Sequence, residues 1–102
     1  MRLKLQEGAE IVNIKPNQEL SPNDVREVLY KARRNYLYAK FITNGCYIQV
    51  TFIKDGTISV ASNIKSTVFI NDFRRYENSG WSFPLVQNFV YKWMSLQRAW
   101  IY

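Results

Sequence analysis

The sequence contains no histidine, one cysteine, three prolines and four glycines, and only eight carboxylates in 102 residues. Each shortage excludes something. With no histidine and Cys46 alone, zinc has no ligand set. No imidazole is present to activate a serine or cysteine nucleophile. Cys46 cannot close a disulfide within the chain, which suits a reducing compartment. It follows the Asn44–Gly45 turn and reads as a small strand residue. The acids are scattered. Asp55 belongs to a turn, Asp24 to a helix start, and Glu27 is expected to pair with Lys31 one turn on. Asp72 and Glu77 share a polar stretch where solvation is expected. A carboxylate cage for magnesium is therefore not expected.

The glycines are isolated, and Gly8, Gly45 and Gly56 have turn roles, so no glycine-rich phosphate loop exists. No apolar run approaches the roughly 18 residues that span a bilayer. The first residues lack the apolar stretch of a signal peptide. The expectation is a soluble cytoplasmic protein (in the host cell if viral), without metal, cofactor or membrane partner, and not an enzyme.

The chain is rich in cations and rings. It has 14 Lys and Arg, a net charge of +6, and 16% aromatic residues. Such a surface attracts phosphate polyanions through counterion release, although a charge of this size also serves solubility. Phe, Tyr, Met, Ile, Asn and Lys make up 40 of the 102 residues. Their codons are AT-rich, which suggests a virus, a phage or another mobile element. With 47% hydrophobic residues the chain can bury a core as a single domain, 1–102.

Met1–Leu5 and Glu10–Lys15 alternate or are β-branched, and read as strands. Ser21 then caps a helix with Pro22 at its first position and Asp24 as the returning acid of a capping box. Leu20 and Val25 occupy the staple positions, and Val25, Val28, Leu29 and Ala32 share one face. The spacing predicts a helix over about 22–35. Asn44–Gly45 and Asp55–Gly56 are strong hairpin signals, so residues of about 36–63 read as a three-stranded meander. Leu37, Ala39, Phe41, Ile48, Val50, Phe52, Ile58 and Val60 should face the core. Tyr38, Lys40, Ile42, Tyr47, Gln49, Thr51, Thr57 and Ser59 should face the other way.

Thr67–Ile70 reads as an optional fourth strand, and 71–81 as a polar loop bearing rings. A last helix, about 84–102, carries Leu85, Phe89, Trp93, Leu96 and Trp100 on one stripe. The predicted architecture is α+β, an antiparallel sheet with two helices on one face, in the order β-β-α-β-β-β-(β)-α. From about residue 21 onward, the order of helix, three strands and helix resembles the topology of the double-stranded-RNA-binding domain. The segment Ser82–Val86 lacks the basic cluster that this family carries at the start of its second helix.

The first helix sets Arg26, Tyr30 and Arg33 at i, i+4 and i+7, with Lys31 and Arg34 nearby, roughly opposite its apolar face. Arg74, Arg75 and Tyr76 repeat the pairing of cation and ring. Guanidinium groups grip phosphate in a fork, and a neighbouring ring stacks on an unpaired base. Arg26, Tyr30, Arg33, Arg34, Lys40, Arg74 and Arg75 are thus the expected contacts to DNA or RNA, made mainly to the backbone. Trp93, Trp100 and Tyr102 near the chain end suggest a homodimer interface. Two other readings compete. One is a protein-binding module, such as a viral inhibitor of a host enzyme or defence complex. The other is a metal-independent ribonuclease using Arg74, Arg75 and Tyr76, supported by Arg33 or Lys40.

Overall fold

A computed structural model describes residues 9–15 and 18–99. The fold is α+β. Its elements are β1 (Glu10–Asn13), α1 (Pro22–Arg34), β2 (Tyr38–Thr43), β3 (Cys46–Phe52), β4 (Ile58–Ser62), α2 (Thr67–Ser79) and α3 (Phe83–Ala99). The sheet order is β1-β2-β3-β4.

Local chemistry sets the boundaries of α1. Ser21 Oγ accepts from the Asp24 N–H at 3.1 Å, and Asp24 Oδ2 accepts from the Ser21 N–H at 3.3 Å, closing the capping box. At the other end the Leu37 N–H donates to Ala32 O and the Tyr36 N–H to Arg33 O, both at 3.1 Å. This is the crossed pattern of a Schellman stop, and it places Tyr36 in the left-handed region at φ 54°. Glycine is the usual residue there, because a side chain makes that conformation costly.

The hairpins form as their turn residues dictate. Asn44 and Gly45 both have positive φ, 58° and 78°, between the paired Thr43 and Cys46. The β3–β4 loop is longer than a two-residue turn. The Ile53 N–H donates to Thr57 O at 3.0 Å, with Gly56 at φ 94°. The expected meander, β2-β3-β4, is antiparallel throughout.

Three expectations need correction. First, the sheet is mixed, because β1 runs parallel to β2. Helix α1 returns the chain to the same end of the sheet, as a parallel pair requires. Second, Thr67–Ile70 is the first turn of α2 and not a strand. Ser66 caps it, its Oγ accepting from the Phe69 N–H at 3.4 Å. The segment predicted as a loop, 71–81, is helical as far as Ser79. Third, an additional helix therefore separates the meander from the last helix, and the order departs from the double-stranded-RNA-binding topology at that point. The predicted strand Met1–Leu5 lies outside the described residues.

Phe41, Leu29, Ile48, Met94, Val50 and Val90 are fully buried between the sheet and helices α1 and α3. Helix α2 joins through rings. Phe69 lies 5.2 Å from Phe89 and 5.1 Å edge-on from Trp93, and Tyr76 stands perpendicular to Phe89 at 5.9 Å. Asp72, its side chain 14% exposed, accepts from Arg75 at 2.9 Å and from Lys92 of α3 at 3.1 Å. Among the described residues no helix is long and apolar enough to cross a membrane.

Candidate nucleic-acid interface

Helix α1 presents its outer stripe as a ladder of cations and rings. The Arg26 guanidinium carbon lies 5.0 Å from the centre of the Tyr30 ring, and that of Arg33 lies 4.7 Å from it. Arg33 is also 4.7 Å from the ring of Phe83, at the start of α3. Tyr30 and Phe83 are themselves 4.7 Å apart. The guanidinium of Arg33 is thus held by two rings from two helices. Arg26, through a hydrogen bond and its charge, holds the Tyr30 phenol below its ordinary pKa, with a smaller contribution from Arg33.

Arg33 and Arg34 lead into a groove of 620 Å³. The β3–β4 loop forms one wall with Ile53 and Lys54, and Trp81, Ser82 and Phe83 form another. Tyr36, 51% exposed, stands at the end of α1. Trp81 lines this groove and an adjoining one of 510 Å³ that also contains Glu77. No carboxylate lines the larger groove. Trp81 is braced by Phe73 at 5.8 Å, Tyr76 at 5.7 Å and Phe89 at 5.1 Å.

Ion pairing divides the cations. Among the described residues the only salt bridges are Arg75–Asp72 and Lys92–Asp72. Arg26, Arg33, Arg34 and Lys54 therefore carry their charge without a carboxylate partner. Glu27 and Lys31, expected to pair, do not.

The structure brings together Arg26, Tyr30, Arg33 and Arg34 of the expected set. It separates the others. Lys40 stands on the sheet face turned away from the helices, 4.7 Å over the ring of Tyr47. Arg74 is exposed on α2. Arg75 is engaged by Asp72 and lies 4.9 Å from the Tyr76 ring centre. Hydrogen bonding to Tyr76, and then the Asp72 charge, raise the Arg75 pKa further. Trp93, proposed for a dimer interface, is 2% exposed and faces Phe69 and Phe89 inside the core, so it offers no surface. Trp100 and Tyr102 lie outside the described residues.

Sequence reasoning missed Tyr36, Lys54, Trp81 and Phe83. Lys54 stands two residues before Gly56, and Trp81 follows Gly80, the C-cap of α2; both glycines have positive φ. Among the described residues no cluster of acids and thiols could hold a metal ion. Cys46 is half-buried and donates to Gln97 Oε1 at 3.4 Å. No protein-family model, curated protein or solved structure matches the chain.

Proposed function

We propose that this protein binds nucleic acid, and that the outer stripe of α1 and the mouth of the adjoining groove hold the phosphate backbone. The observation that carries this reading is Arg33, fixed between Tyr30 and Phe83 with no carboxylate bonded to it, beside Arg34 and Lys54. A guanidinium pinned by rings keeps its donor edge free for phosphate and loses little conformational entropy on binding. Among the described residues no carboxylate is bonded to these cations, so their donors are open to phosphate. The N-terminus of α3, with no acid in its first turn, adds positive potential at Ser82 and Phe83.

The test is a salt titration of a labelled oligonucleotide by fluorescence anisotropy. Affinity should fall steeply with salt, and Arg33→Glu should weaken binding at low salt by about tenfold or more. Equal affinity for the wild-type protein and Arg33→Glu would refute the reading. The same preparation tests the ribonuclease alternative: RNA degraded without metal, and spared by Arg75→Ala, would favour it.

A further inference from the structure

We propose that the groove beside α1 receives an unpaired base, so that the protein prefers single-stranded RNA or DNA to a duplex. This rests on the reading above and adds the class of nucleic acid to it.

Rings from three segments line the groove. Tyr36 stands exposed at one side, Trp81 at another, and Phe83 next to the pinned Arg33. Stacking on aromatic side chains is the general means of holding an unpaired base without reading its identity. The volume, 620 Å³, lies within the roughly 300–1,000 Å³ typical of small-molecule sites and accommodates a nucleobase with its sugar. A duplex keeps its bases stacked inside and presents phosphates outside. It can reach the α1 stripe, but its bases are paired and stacked inside, so none is available to lie against a ring lining the groove.

Two features suit the groove to this task. Trp81 is braced by Phe73, Tyr76 and Phe89, so its position is set before a ligand arrives. Tyr36 adopts a left-handed backbone conformation that disfavours any side chain, and yet places a large ring at the rim. Strain kept at a residue with an exposed ring points to a role in binding. The cations stand around the rings: Arg33 and Arg34 on the helix side, Lys54 on the loop side. A strand crossing the groove would meet phosphate ligands before and after the inserted base.

The test compares a labelled single strand with a duplex of the same sequence, in RNA and DNA forms, at fixed low salt. The variants are Tyr36→Gly, which leaves the backbone in its favoured state, and Arg33→Glu. The wild-type protein should bind single strands about 5- to 100-fold more tightly than duplex. Tyr36→Gly should lose about fivefold or more on single strands and leave duplex affinity within roughly twofold. Tryptophan emission should change on adding single strand, and Trp81→Phe should abolish that change. RNA-only or DNA-only preference among single strands would support the proposal and assign the sugar.

Equal affinity for single strand and duplex, unaffected by Tyr36→Gly but lowered by Arg33→Glu, would overturn this inference and leave the backbone reading intact. No binding to either form would overturn both. An acidic peptide that displaces the single strand as well as unlabelled strand does would mark a site for polyanions without base capture, and would also overturn the inference.

Discussion

Arg33 of α1 lies 4.7 Å from the ring of Phe83, the first residue of α3, and this contact joins the cationic stripe to the groove. An exposed cation–π contact contributes about 0.5–1 kcal/mol. Arg33 makes two such contacts, with Tyr30 and Phe83, so Arg33→Ala should change unfolding free energy by no more than about 2 kcal/mol, while it removes one phosphate contact and makes the slope of log affinity against log salt shallower by about 1. Urea unfolding and a salt series measure the two effects separately.

Tyr36→Gly should raise stability and lower affinity together. The residue sits at φ 54° as the left-handed stop of α1, where glycine meets no steric penalty. The expected gain is about 1 kcal/mol, seen as a higher denaturation midpoint. Glycine's greater freedom in the unfolded chain offsets part of that gain. A variant less stable than wild type would mean that the Tyr36 ring contributes more through packing than its backbone costs.

The Tyr30 phenol should titrate below its ordinary value of 10.0, because Arg26 favours the phenolate. A depressed folded-state value for an acid adds stability only as the group ionises. Its contribution is absent at neutral pH, grows as pH rises through the folded value, and is complete above the unfolded one. Site-specific NMR of tyrosine Cζ should show Tyr30 titrating early, and Arg26→Ala should move it upward. An unchanged Tyr30 titration in Arg26→Ala would show that the stripe is not coupled electrostatically.

Phe89 contacts Phe69, Phe73, Tyr76, Trp81 and Trp93, and so fastens α2 and the groove wall to α3. Phe89→Ala should destabilise the protein by about 3–5 kcal/mol. Hydrogen exchange should show amide protection lost first in α2, whose attachment runs through these rings and the Asp72–Lys92 ion pair. Uniform loss across sheet and helices would indicate that α2 has no separate opening.

Much of this fold can be read from short-range chemistry. The Ser21 capping box and the turns at Asn44–Gly45 and Asp55–Gly56 act within a few residues, so the sequence shows them directly. Helix α2 was harder, because Thr67-Val68-Phe69-Ile70 is β-branched and apolar, a strand composition. What settles it is the Ser66 cap and the placing of Phe69, Phe73 and Tyr76 at helical spacing against Phe89. The stripe is local, but its partner Phe89 lies on another helix and is brought to it only by the tertiary fold. The parallel pairing of β1 with β2 depends on α1 as a crossover, which local pattern does not reveal. At the candidate site, the stripe Arg26–Tyr30–Arg33 was legible as i, i+4, i+7. The groove was not, because Tyr36, Lys54 and Trp81 meet from three separate segments. Pairing of Arg75 with Asp72 is an i, i+3 contact that exists only because this segment is helical.

Through Arg33, α1 and the groove are proposed to act as one surface. Titration of isotope-labelled protein with a short single-stranded oligonucleotide, followed by two-dimensional NMR, tests it most directly. Amide shifts are expected at Arg26, Tyr30, Arg33, Arg34, Tyr36 and Lys54, together with the indole N–H of Trp81. Shifts confined to Lys40, Tyr47 and Gln49 on the opposite sheet face, or none at all, would contradict it.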